Sequence, residues 1–371
     1  MTVLKKYITL IASLAGVLIA LVPFAVSGFF FDDVYNSVSS GEVIALGISK
    51  FDFVLGMLKH WTFEVGRFFP VSVLVGYTSW IWADTLFKSK LIQLGLAVIN
   101  VVLFYLVIAR VSKNNRMPVI SVLMLAATIQ FNPRWDGLSS FAPLNQLVLV
   151  FILGAWLSML AGLSAANLSA GRSLRIVSIG LCLLALLTYE VGVIALLGCL
   201  FYSWSCRKKH QVMLRGYVTW LLIAAGIFLT AYCGFRLAAQ SSYDGVQIGS
   251  LVGTWGTFWA QFSSAFPLAF LNNTVIVVTT PSSFAWISLT LVFYTLWWVV
   301  IRNHGVSETT PIAEDRKNQR LTLLGMAMLL VCMPALIIAV SSKYQQIVRD
   351  HVQNPTPITS IEARKLPALT A

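Results

Sequence analysis

Ile176 through Trp204 reads IVSIGLCLLALLTYEVGVIALLGCLFYSW. The run is apolar almost throughout and is interrupted once, by Thr188-Tyr189-Glu190. How it threads a bilayer decides the fold. One helical span needs ~20 residues, and this run is too long for one ordinary span. A carboxylate at mid-membrane is costly without a partner. Arg172 and Arg175 precede the run, and Arg207, Lys208 and Lys209 follow it. Lys and Arg collect on the cytoplasmic side of membrane proteins. Both ends therefore belong inside, and the run turns back with Tyr189-Glu190 at an outer tip. Its arms are then shorter than the usual ~17 residues. Neighbouring helices, or a dip in the membrane surface, must screen them.

The rest of the chain supports a membrane reading. Of 371 residues, 58% are hydrophobic and 11% charged. Soluble domains run nearer ~45–50% and ~25%. The composition excludes a soluble enzyme, a disordered tail and a secreted disulfide scaffold. It describes an all-α polytopic membrane protein. Apolar runs lie near 7–30, 70–87, 91–110, 117–131, 143–163, 176–204, 217–238, 282–301 and 321–341. The 70–87 stretch carries Tyr77, Trp80, Trp82 and Asp84, a composition of the membrane surface rather than the bilayer core. With that stretch on the outer surface and 176–204 as a hairpin, nine spans result, N-terminus in and C-terminus out. The outer loops are 31–90, 132–142 and about 239–281, and the longest inner loop is 302–320.

The formal net charge of +12 sorts along this threading. Fifteen basic residues and three acids fall inside, and eleven of each fall outside. The alternative threading makes 70–87 a span and 176–204 a single helix. It moves Arg110, Lys113, Arg116, Arg172 and Arg175 outside, against the charge rule. The basic excess thus reads as orientation and not as a nucleic-acid surface. The start, Met1 to Lys6 followed by an apolar run to Phe31, resembles a secretory signal with Ala25-Val26-Ser27 as a cleavage site. Its length suits a retained first helix.

Little chemistry is visible by motif. Five cysteines and four histidines are scattered, without zinc, haem or iron–sulfur spacing. Nucleotide-binding loops, metalloprotease motifs and serine-hydrolase elbows are missing from the sequence. No internal repeat is visible, which disfavours transporters built from two related halves. With short inner loops, any site belongs on the outer face.

Five pieces stand there. Asp32-Asp33 leaves the first helix into the long loop, where lost hydration turns a carboxylate toward a useful base. The same pair could instead be a solvated acid and a helix cap. Arg67, in Gly66-Arg67-Phe68-Phe69-Pro70, suits a phosphate, or equally a snorkelling anchor. Tyr189-Glu190 is either a site or half of an ion pair with Arg67 or Arg134. Arg134 lies in the turn Asn132 to Asp136, and Lys343-Tyr344 follows the last span. Either could hold phosphate or be structural. Two carboxylates such as Asp32 and Asp33 could also hold Mg2+ or Mn2+.

The order of these pieces resembles the bacterial GT-C superfamily of multi-spanning glycosyltransferases, its O-antigen glucosyltransferase-like members most of all. An acidic pair after the first helix corresponds to Asp32-Asp33. An Arg-Pro-type start of a surface helix corresponds to Arg67 and Pro70, and an aromatic residue followed by Glu corresponds to Tyr189-Glu190. Phe68-Phe69 separates the Arg from the Pro, and the chain ends some thirty residues after the last span, two departures from the pattern.

The resemblance implies one GT-C-like domain over 1–345, with a helical first outer loop and a short outer tail, 346–371. It implies a bacterial inner-membrane enzyme. Such an enzyme moves sugar from a polyprenyl-phosphate donor to a cell-surface glycan or lipid acceptor, with inversion. Asp32 or Asp33 would be the base. Arg67, Arg134 and Lys343 would hold phosphate, with Tyr189, Glu190 and Tyr344 around the substrate. A lipid-linked sugar flippase, a small-solute carrier or a degenerate assembly partner are the competing readings.

Overall fold

The computed structural model describes residues 11, 14–25, 32–112, 116–128, 142–239, 248–264 and 313–353. Nearly all of them are helical. No strand occurs among them, only an isolated bridge between Ile248 and Ser341. The protein is an all-α membrane protein. Four helices are long and apolar enough to cross a bilayer. They are α5 (Leu86–Ser112), α7 (Ala142–Ser164), α8 (Leu168–Thr188) and α10 (Arg207–Ala238). Numbering counts from the first loop: α1 (Asp32–Ser37), α2 (Ser39–Leu46), α3 (Lys50–Lys59) and α4 (Pro70–Trp82). Shorter helices are α6 (Arg116–Thr128), α9 (Val193–Ser205) and α11 (Leu251–Ser264). The last two are α12 (Ala313–Val340) and α13 (Ser342–Gln353). The apolar run 282–301 lies outside the described residues.

The 176–204 run does turn back. Thr188 bonds its hydroxyl to the Leu184 carbonyl, and Tyr189 adopts extended backbone, ending α8. A short tight turn over Glu190–Gly192 then starts α9. Cys182 and Cys199 meet with sulfurs 3.8 Å apart, so the two arms run antiparallel. The first arm begins earlier than the apolar run suggested, at Leu168, and its 21 residues make a full-length helix. The second has 13 residues, ~20 Å, and is the short one. The reason lies in the first arm's start. Asn167 caps it by accepting from the Ser169 N–H, and Arg172 and Arg175 ride within its opening turns.

In lipid, apolar burial alone does little to join helices, so close packing and interhelical hydrogen bonds must do it. Small residues supply the closeness. A Cβ on Gly192 would collide with the Ala185 carbonyl oxygen, and one on Gly162 would lie 2.9 Å from the Gly171 oxygen. Trp156 of α7 lies flat on Gly198 and donates its indole N–H to the Ala195 carbonyl at 3.2 Å. Ser178 donates to the Ala155 carbonyl at 2.8 Å, and Asn100 donates to the side chain of Gln146 at 2.7 Å. Each such bond contributes roughly 0.6–2 kcal/mol in a membrane.

These contacts order the bundle's ends. The tip of the α8–α9 hairpin lies with the N-termini of α5 and α7 and the C-termini of α10 and α12. Arg172 and Arg175 lie at the opposite end, where Arg110 is within electrostatic reach of Tyr202. Helix α4 has 13 residues, ~20 Å, against a hydrocarbon core of ~30 Å. It packs on α2 and α3 on one side and on α7 and α8 on the other. Residues 32–82 are largely helical, as the resemblance implied for the first loop.

Candidate functional site

The segment that carries Arg67 is shaped by its neighbours in sequence. After α3 a π-helical turn spans His60–Glu64. Gly66 then takes φ +73°, a left-handed conformation that L side chains rarely adopt. The Arg67 N–H returns to the Trp61 carbonyl at 2.8 Å, and Pro70 opens α4 where no helical N–H is needed. The loop is wedged on the last turn of α10. A Cβ on Gly66 would lie 2.8 Å from Cβ of Ala239, and Arg236 donates to the Val65 carbonyl at 3.3 Å.

Across 123 residues of sequence, Arg67 Nη2 donates to Glu190 Oε1 at 2.6 Å. The two side chains are 17% and 28% exposed, so the pair sits at the edge of water. The guanidinium lies 5.3 Å from the Phe69 ring centre and 5.5 Å from that of Tyr189. Burial works against its charge, but Glu190 and Tyr189 outweigh burial and raise its pKa further. Tyr232 of α10 stacks obliquely on Phe69, within electrostatic reach of Glu190, Arg67 and Arg236. Phe68 stacks on Phe235 at 4.7 Å. The two phenylalanines between Arg and Pro are thus the seat of the arginine: one pins the loop to α10, the other floors the guanidinium.

Asp33 sits elsewhere. Its side chain is fully buried, and Oδ2 accepts from the Gln93 amide of α5 at 3.0 Å. Lys90, three residues before Gln93 and so on the same face, is buried too, its ammonium 4.0 Å above the Phe24 ring. Helix α1 packs on α4. Asp32 opens α1, with its side chain outside the described residues, as is all of Arg134. Lys343 is exposed on α13 and does not touch Arg67, and Tyr344 is half-buried. The neighbouring Gln345 is buried and clasps Ser250 and Thr254 of the α11 start.

So the structure joins Arg67, Tyr189 and Glu190, and holds Asp33 apart from them. Among the described residues, no three of His, Cys, Asp and Glu gather as a metal site. Asp33 Oδ2 faces the Gln93 amide N–H2, and the side chain of Asp32 lies outside the described residues. Sequence reading did not single out Phe69, Tyr232, Lys90 or Gln93, and noted Arg236 only as a charge near a helix end. The charge of Arg236 in an apolar helix end was the one available signal. Comparison of the chain with protein-family models, with curated proteins and with solved structures finds no match.

Proposed function

We propose that this chain is a GT-C-like integral membrane glycosyltransferase of nine spans, with its site on the extracytoplasmic face of a bacterial inner membrane. It takes sugar from a polyprenyl-phosphate donor and passes it, with inversion, to a surface glycan or lipid acceptor. One observation carries the reading. A cation walled by two aromatic rings, and an acid beside it, come from distant segments to one end of the bundle. That end is opposite the Arg172 and Arg175 end, which the charge rule assigns to the cytoplasm. A lipid-borne donor must be met at a membrane surface, and its phosphate needs a cation as the glycosidic bond opens. Arg67 supplies it, and the partly exposed rings of Tyr189 and Tyr232 offer faces to sugar. Lys343 and Arg134 are further phosphate partners on this reading.

The test is the mass of the surface polysaccharide. Deletion of the gene is expected to remove one sugar increment, restored by the intact chain but not by Arg67→Ala. An unchanged polysaccharide would sink the proposal. The transport reading has one observation of its own. Lys90, Gln93, Asn100 and Gln146 are buried polar residues along the first half of α5 and the start of α7, and the amide oxygens of Gln93 and Asn100 have no hydrogen-bond partner among the described residues. A flippase would leave the lipid-linked sugar on the inner leaflet after deletion, whereas a transferase would leave it on the outer one.

A further inference from the structure

We infer that Glu190, rather than the buried Asp33, takes the proton of the acceptor hydroxyl, and that the donor phosphate frees it by taking over Arg67. The inference rests on the transferase reading. Asp33 has no exposed surface, and an acceptor could reach it only by parting it from Gln93 and opening α1 from α4. Glu190 stands at the hairpin tip, partly exposed, and meets Arg67 through Oε1 alone. Its Oε2 takes no hydrogen bond from the described residues.

Arg67 is as suited to exchange as Glu190. A guanidinium carries five N–H donors and never loses its proton. One donor goes to Glu190, and the rings of Phe69 and Tyr189 flank the group. The Tyr189 side chain takes part in a second hydrogen bond to the group, and the donors beyond these two can serve two phosphate oxygens together. A carboxylate that loses its cation partner holds a proton more firmly. Donor binding would therefore arm the base only when there is a sugar to transfer.

The step balances. The acceptor oxygen bonds to the anomeric carbon while its proton passes to Glu190. The bond from that carbon to the phosphate oxygen breaks, and its electron pair leaves with the phosphate. The donor phosphodiester carries one negative charge and the departing polyprenyl phosphate two, so the pull of Arg67 grows along the reaction coordinate, where it lowers the barrier. The carboxylic acid gives its proton to solvent, the lipid phosphate leaves, and the Arg67–Glu190 pair closes again.

The test uses the full chain in nanodiscs, with farnesyl phosphate as the probe. Glu190→Gln should bind the probe about three- to tenfold tighter, since Arg67 loses its internal rival. In cells the same variant should lower sugar transfer about 10²–10⁴-fold. On the unmodified chain, carbodiimide labelling of Glu190, read by peptide mass, should speed up when farnesyl phosphate is added. Unchanged or weaker binding by Glu190→Gln, retained transfer, or labelling that slows with the probe each overturns the inference and leaves the transferase reading standing. If the unmodified chain does not bind farnesyl phosphate, the transferase reading falls and this inference with it.

Discussion

Arg67–Glu190 and Asp33–Gln93 are both polar centres at one end of the same bundle, yet they are built on opposite principles. The first keeps its charges at the edge of water and surrounds them with rings. Its atoms touch few polar partners and leave donors over. The second draws a carboxylate wholly out of water and ties it to an amide two turns into α5. A group that must meet a substrate needs unspent hydrogen-bonding capacity, and a group that must hold a loop against a helix needs the reverse. Two acids that the sequence offered for one site thus stand in different environments.

Removing the cation should have the largest effect. Arg67→Ala is expected to lower transfer about 10²–10³-fold, the scale of losing one well-placed charge stabiliser. The cost in folding should be smaller, about 1 kcal/mol, because the pair is partly exposed and water can serve Glu190 in place of the lost partner. Surface-polysaccharide mass and thermal unfolding in detergent, measured on the same variant, separate the two. Arg67→Lys keeps the charge but loses the planar stacking on Phe69 and Tyr189, so it should recover only part of the activity.

At the buried centre the ranking should invert. Asp33→Leu orphans the Gln93 amide donor at a site without solvent and is expected to cost about 1–3 kcal/mol. Asp33→Asn, which keeps an acceptor oxygen, should cost less. Thermal unfolding of both variants is the measurement. If Asp33→Asn leaves the melting temperature unchanged while transfer disappears, Asp33 is chemical after all and the contrast between the centres is wrong.

How far the sequence revealed this depends on the kind of signal. The α8–α9 hairpin was legible because two physical penalties agreed: a stranded Glu190 and misplaced arginines. The aromatic composition of 70–87 likewise set it apart from a bilayer-core span, and the helix formed there, α4, has 13 residues. The burial of Asp33 was not legible. Nothing local distinguishes it from Asp32, and the partner that claims it, Gln93, lies 60 residues on. The Phe68-Phe69 pair was read as a departure from a pattern because its partners, Phe235, Tyr189 and Tyr232, lie on other helices. The start of α8 was misplaced for a third reason: hydropathy ignores that a helix can begin on a polar turn with an Asn cap.

A smaller effect should come from the loop's backbone. Gly66→Ala meets a left-handed φ of +73° and Cβ of Ala239 at 2.8 Å. The backbone strain alone is worth about 1–3 kcal/mol. Some of it will be relieved by moving the loop, which carries Arg67 away from Glu190, so transfer should fall several-fold while farnesyl phosphate binding weakens. Adding Ala239→Gly removes the contact but not the strain. Partial recovery by the double variant assigns the loss to the wedge against α10, and no recovery assigns it to the backbone.

The smallest effect is expected at Asp84–Lys88, a third charged pair of the same loop, which marks what an ordinary surface contact does. The two lie one helical turn apart, 2.6 Å between charged atoms, both about half exposed. The bond to Lys88, together with its charge, holds the Asp84 carboxyl below its ordinary value. A depressed folded-state value means the pair contributes above the unfolded-state pKa, and that contribution is lost as pH falls through the folded value. Acid should therefore remove it only below the ordinary carboxylate range. Around neutrality Asp84→Asn should leave transfer unchanged and shift unfolding very little, with added salt erasing the difference. An Asp84→Asn effect on transfer as large as that of Arg67→Ala would mean that charge anywhere on this face matters, and that the ring-walled geometry at Arg67 is not what selects the site.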